Sequence, residues 1–279
     1  MKSKIYVTIL STIAAICLGI CMDYITQQEK NTPVSAYSAQ YEAIENKGCG
    51  WGFKKTKGAE PEIPVAQQEV LKKYNAFYID SKRQKKLYLT FDEGYENGYT
   101  SSILDTLKEK NVPAAFFITA PYAKTQQELI KRMINEGHIL GNHTVNHPKL
   151  PTLSDATKIA SELNEMNELV SDMYGYEMKY MRPPEGEYSQ RVLAVAKDLG
   201  FKTVLWSFAY RDWNVNAQKG RAYAINEVVP YFHDGAVLLL HAVSKDNAEA
   251  LGAIIDKARE GGYEFASLDE ISTEDNTAT

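Results

Sequence analysis

The sequence predicts an α/β fold: a parallel barrel of about seven strands behind an N-terminal extension. Three observations predict it. From Lys86 onward short apolar runs alternate with longer amphipathic segments, the pattern of strands joined by crossover helices. Glycines fall where those helical segments should stop. Polar clusters recur just after the apolar runs, where wound and barrel sheets collect their loops on one rim.

In order, strands are expected at Leu87 to Phe91, Ala114 to Thr119, His138 to Leu140, Lys179 to Met181, Lys202 to Ser207, Ala236 to Leu240 and Glu264 to Ser267. The helices between them are expected at Thr100 to Lys110, Gln126 to Glu136, Ser154 to Met173, Ser189 to Leu199, Ala222 to Phe232 and Asn247 to Glu260. Ser154 and Ser189 are read as N-caps, and Gly137, Gly200 and Gly261 as stops. Val65 to Phe77 reads as a short helix, because Val70, Leu71, Tyr74 and Phe77 fall at helical intervals.

At 279 residues, 44% hydrophobic and 24% charged, the chain can bury one sizeable core. A net charge of −5 argues against nucleic acid or anionic lipid as the main partner, since both call for a basic face. Met1-Lys2-Ser3-Lys4 and the uncharged apolar run from Ile5 to Met22 read as an export signal. It is expected to stay as an anchor or be cut late, leaving the body outside the cytoplasm and meeting the membrane only there. Residues 23–47 read as a linker, 48–85 as an extension carrying Trp51 and Phe53, 86–270 as the main domain and 271–279 as a polar tail. Cys17 and Cys21 lie in the apolar run, which leaves Cys49 alone, so neither an internal disulfide nor a cysteine metal site is expected.

Five polar clusters follow the strands. Asp92-Glu93 opens a glycine turn and suits either a cap or acid–base chemistry. His143 and His147 are four residues apart and can converge on one ion, or be two surface histidines; Pro148 keeps His147 out of helical geometry, so the pair belongs to a loop. Arg182, before Pro183 and Pro184, is a fork donor aimed at a carboxylate such as Asp92, or an arginine beside a turn. Asp212-Trp213 is a turn acid beside a core aromatic, or the partner that orients His241, the polar tip of the run from Ala236 to Leu240. His138 and His233 have no partner motif and are read as structural. The order and placement of the clusters suggest a metal-assisted hydrolase.

Thr90-Phe91-Asp92-Glu93-Gly94, His143-x-x-x-His147, Arg182-x-Pro184-x-Gly186, Asp212-Trp213 and Leu238-x-Leu240-His241 resemble, in that order, the five motifs of the polysaccharide deacetylases sharing the NodB homology domain. Trp51-Gly52-Phe53, the string from Glu93 to Thr100 and the string from His241 to Leu251 are similar to the δ-lactam-biosynthetic de-N-acetylases of spore-forming bacteria. The resemblance implies a distorted, NodB-like parallel (β/α) barrel acting on a peptidoglycan glycan strand; a monomer is expected. The reaction it implies is removal of acetyl from N-acetylmuramic acid in peptide-stripped peptidoglycan, leading to muramic δ-lactam in spore cortex. The alternatives are an N-acetylglucosamine deacetylase and a catalytically silent glycan-binding homologue.

By position the resemblance makes Asp92 the general base, His143 and His147 ligands of a divalent metal such as zinc, Arg182 the tether of the base, Asp212 the orienter of His241, and His241 the general acid. The Glu185 backbone N–H would hold the oxyanion, Leu239 would line the acetate pocket and Trp213 would contact substrate. Glu93 stands where most of the family has an aspartate as third ligand. Its extra methylene leaves two poses open: ligating from a shifted position, or swinging away.

Overall fold

Residues 40–273 are described by a computed structural model. The apolar N-terminal run, Cys17, Cys21, most of the linker and residues 274–279 lie outside the described residues. Among the described residues no helix is long and apolar enough to cross a membrane.

Every strand read from the sequence is present. β1 is Cys49–Gly50, β2 Ala76–Phe77, β3 Lys86–Glu93, β4 Ala114–Ile118, β5 Ile139–Asn142, β6 Tyr180–Met181, β7 Glu187–Tyr188, β8 Lys202–Val204, β9 Ala236–His241 and β10 Glu264–Phe265. The helices are α1 Val65–Lys73, α2 Thr100–Lys110, α3 Ala120–Thr125, α4 Gln127–Asn135, α5 Ala156–Tyr174, α6 Gln190–Asp198, α7 Arg221–Val228 and α8 Lys245–Glu260. Two readings need correction. The helix expected to reach Phe77 ends at Lys73, and Ala76 and Phe77 instead pair in parallel with Thr203 and Val204. The cap of α5 is Asp155, whose carboxylate accepts from the Lys158 N–H, one residue beyond the expected Ser154. Ser189 caps α6 as expected, accepting from the Val192 N–H.

The sheet runs β10-β3-β4-β5-β6-β8-β2, with β9 on the other side of β3. All of these ladders are parallel. The chain beyond β8 then turns onto β9: the Ser207 N–H donates to Val237 O at 3.0 Å and the Leu239 N–H to Phe208 O at 2.9 Å. This stitch closes the curled sheet into the predicted barrel.

Strand alternation divides the apolar side chains into two sets. Leu87, Leu89, Phe91, Phe116, Leu140, Leu238 and Leu240 pack with Ile103, Leu107, Ile130, Leu163 and Ile254 of the surrounding helices. Tyr88, Ala115, Phe117, Ile139, Tyr180, Val204 and Val237 form a separate cluster inside the barrel. Burying each large aliphatic or aromatic side chain contributes about 1.5–3 kcal/mol. The inner set fills the lower barrel, so positions of the same parity further along the strands form the upper floor.

Candidate active site

That upper floor is polar. On β3 the inward parity of Tyr88 continues through Thr90 to Asp92, and on β9 that of Val237 continues through Leu239 to His241. The register of the two parallel strands places Asp92 directly opposite His241. Beyond β5 the same parity carries His143, and beyond β6 it carries Arg182.

Arg182 is fully buried and every edge of its guanidinium is used. Nη1 donates to Asp92 Oδ1 at 2.7 Å, Nη2 to Thr90 Oγ1 at 2.9 Å and Nε to Val204 O at 3.0 Å. The guanidinium carbon lies 4.1 Å from the Phe117 ring centroid, a cation–π floor. Gly141 makes room for that ring, since a Cβ there would come within 2.4 Å of it. A charge removed from water this completely is tolerable only when paired and hydrogen-bonded. Burial works against the charge on Asp92, but the Arg182 guanidinium, with His143 and His241 behind it, holds the carboxyl below its usual range.

The histidine pair sits in a loop, as Pro148 requires. Thr144 and His147 both take left-handed backbone, with φ of 69° and 56°, and the turn is held by Thr144 N–H to Asn142 Oδ1 and His147 N–H to Thr144 Oγ1, each 2.9 Å. The rings meet edge to face with centroids 4.8 Å apart. His143 Nδ1 faces the Arg182 carbonyl oxygen at 2.9 Å, leaving Nε2 toward Asp92, 3.6 Å from Oδ2. Burial above all pushes His143 down to about 4, so the ring is neutral at physiological pH and keeps a lone pair for coordination.

At the end of the neighbouring strand, His241 Nδ1 lies 2.8 Å from Asp212 Oδ1, while Asp212 Oδ2 accepts from the His241 backbone N–H at 2.7 Å and from Asn247 Nδ2 at 2.6 Å. Asn247 in turn bonds the Tyr210 hydroxyl and the His241 carbonyl oxygen. Burial opposes protonation of His241, yet Asp212 outweighs it and the ring stays above its ordinary value.

These groups surround a cavity of about 880 Å³ lined by Asp92, His143, His147, Glu185, Leu239, His241 and the exposed aromatics Tyr95 and Trp213. Arg182 and Asp212 stand behind it. The volume suits a sugar ring with neighbours.

Glu93 does not join them. β3 continues two residues past its expected end, so Asp92 and Glu93 are successive strand residues and point to opposite faces. The Glu93 carboxyl is fully buried toward α2, where Oε1 faces Thr100 Oγ1 at 3.4 Å and Oε2 has no partner. Burial, with Glu96 and Asp92 nearby, drives it well above the usual carboxylate range. Of the two poses open to its longer side chain, the structure takes the one turned away. Among the described residues no three His, Cys, Asp or Glu side chains form a metal-holding group.

Sequence reasoning passed over Thr90, which bridges Arg182 and the Leu238 carbonyl oxygen, and Asn247, the second donor to Asp212. Thr90 carried a signal in being a hydroxyl at an inward position of an apolar strand. Asn247 carried none beyond its place in a quoted string.

The Polysaccharide deacetylase family profile matches residues 80–204. The peptidoglycan-N-acetylmuramic acid deacetylase PdaA of Bacillus subtilis is 45% identical over 239 residues, 85% of this chain and 90% of that protein. The chain belongs to the polysaccharide deacetylase family. The solved structure of Bacillus subtilis PdaA, a family 4 carbohydrate esterase, superposes on this polysaccharide deacetylase with a TM-score of 0.79 at 44% identity, covering 82% of this chain and 98% of that one. A peptidoglycan-N-acetylglucosamine deacetylase of Bacillus cereus is 32% identical over 203 residues, 71% of this chain and 72% of that protein. As a member of this family the chain is a hydrolase of amide bonds.

The donors of this deacetylase suit a borderline divalent ion in part. Two imidazoles face each other, and one is fixed through its other nitrogen by a backbone carbonyl, the usual outer-shell support of a ligating histidine. The third donor expected at position 93 is turned away.

Proposed function

We propose that this chain removes the acetyl group from N-acetylmuramic acid in peptide-stripped peptidoglycan, outside the cytoplasm and as a monomer, in the route to muramic δ-lactam of spore cortex. The observation that carries the reading is the register that sets Asp92 and His241 side by side on adjacent strands at the rim of one cavity, each held by its own buried partner. Identity to PdaA across nine-tenths of that protein favours muramic acid over glucosamine.

Asp92, kept ionised by Arg182, takes the proton of the attacking water. The Glu185 N–H, in a turn where that residue adopts φ 56°, donates to the oxygen that becomes negative, a contribution of about 3–4 kcal/mol for a preorganised donor. His241, protonated against Asp212, passes its proton to the departing amine, without which the tetrahedral species would revert. Leu239 lines the acetyl side of the cavity, and Trp213 offers a face on which a sugar stacks. His143 and His147 would hold the family's divalent ion, for which zinc suits imidazole donors, and when bound it supplies Lewis acidity toward the acetamide oxygen and the water.

The test is acetate release from peptide-free glycan followed by product analysis. Muramic acid that closes to lactam is expected, with Asp92→Asn and His241→Ala each losing at least about a thousandfold in kcat. Glucosamine as sole product would replace this reading with the other specificity, and binding without turnover would replace it with a silent homologue.

A further inference from the structure

The extension before the barrel reaches the segments behind the cavity through Trp51, among other residues. β1 pairs antiparallel with β7, so that Cys49 faces Tyr188 and Gly50 faces Glu187, immediately after the turn that carries Glu185. The next residue, Trp51, is buried and uses both of its donors: the backbone N–H bonds Gly186 O at 3.0 Å, and the indole Nε1 bonds Trp206 O at 2.8 Å. Glu185 and Trp206 both line the cavity, on separate segments that are 21 residues apart in the chain. Trp51 therefore ties two of its walls together.

The tie is tight. A Cβ on Gly186, whose φ is 68°, would lie 2.7 Å from the Trp206 ring and 3.0 Å from Trp51 Cβ, so the turn, the indole behind it and the pocket wall touch with no slack. Glu185 itself is in left-handed backbone, a conformation unfavourable for a non-glycine residue that persists only where its surroundings impose it. The Trp51 ring is in turn braced against Tyr78 and Phe53, with centroids 5.1 and 5.7 Å away. Residues 49–53 lie outside the 80–204 segment that the family profile matches.

We infer that Trp51 is a positioning residue for the reaction: through Gly186 and Trp206 it fixes the Glu185 peptide and the adjoining wall, so that the extension before the barrel helps to shape the site. The inference rests on the proposed oxyanion role of the Glu185 N–H. Misplacing such a donor weakens a bond that forms fully only in the transition state, so the effect falls on kcat and spares KM.

The test compares Trp51→Phe, which keeps an aromatic body and loses the indole donor, with Leu107→Val, a packing loss in α2 far from the cavity. Acetate release from peptide-free glycan is measured alongside amide exchange of residues 185–188. Trp51→Phe is expected to lower kcat about tenfold with KM within about twofold and to speed exchange at Gly186 and Glu187, while Leu107→Val keeps the wild-type kcat. Unchanged kcat in Trp51→Phe, a rise in KM alone, or equal losses in both variants would each overturn the positioning role. If the wild type releases no acetate, the functional reading has failed instead, and the exchange data decide the brace by themselves: protection unchanged in Trp51→Phe refutes it.

Discussion

At the scale of the residue, the site is a set of charges made tolerable by their partners. His241 is held above its ordinary value by Asp212 against the pull of burial, so its protonated form survives above pH 6.5 and activity is expected to fall as pH rises through that elevated value. In Asp212→Asn burial, the largest influence on His241, would be opposed mainly by the Asp92 charge, and the alkaline limb of the kcat profile should move to lower pH; a limb that stays in place would show that Asp212 does not set it. Thr90→Val strips a fully buried guanidinium of one acceptor and is expected to destabilise the fold by about 1–3 kcal/mol, read as a drop in the denaturation midpoint. Glu93 makes the opposite case. Its carboxyl faces α2, so if the proposed divalent ion is bound, Glu93→Asp should leave the metal content of purified protein unchanged by elemental assay, whereas His147→Ala should lower it.

At the scale of the element, strand parity explains what the sequence disclosed and what it withheld. Five clusters after five apolar runs were legible because a parallel strand ends where its polar residues begin, and the expected pairs Arg182–Asp92 and Asp212–His241 are both hydrogen-bonded. The place of Glu93 was not legible, because it turns on whether β3 stops at Phe91 or runs to Glu93, and two polar residues before a glycine give no sign of continuing a strand. β2 was hidden for a related reason: Tyr74 and Phe77 extend the helical spacing of α1, while the pairing that makes Ala76 and Phe77 a strand comes from β8, more than a hundred residues away. Parity also gives a test inside the barrel. Gly141→Ala would drive a methyl into the Phe117 ring beneath Arg182, costing about 1–3 kcal/mol of stability through overpacking. By tilting the Asp92–Arg182 pair it should also lower kcat about a hundredfold; full activity in a folded Gly141→Ala protein would show that the ring does not support the pair.

At the scale of the whole molecule, the site belongs to no single segment. Asp92 is on β3, His143 and His147 follow β5, Arg182 follows β6, Asp212 follows β8, and His241 ends β9. A break in composition marked the extension in the sequence, but nothing there indicated that Trp51 would reach two pocket walls, because the contacts are backbone carbonyls and carry no side-chain signature. The stitch of β9 between β3 and the segment around Phe208 has a temporal meaning. As the chain is made from its N-terminus, Asp92, His143, His147 and Arg182 emerge before His241. Only when the ninth strand slots between β3 and the Phe208 segment does the proposed proton donor meet the proposed base, so a partly assembled molecule would lack the acid for the leaving amine.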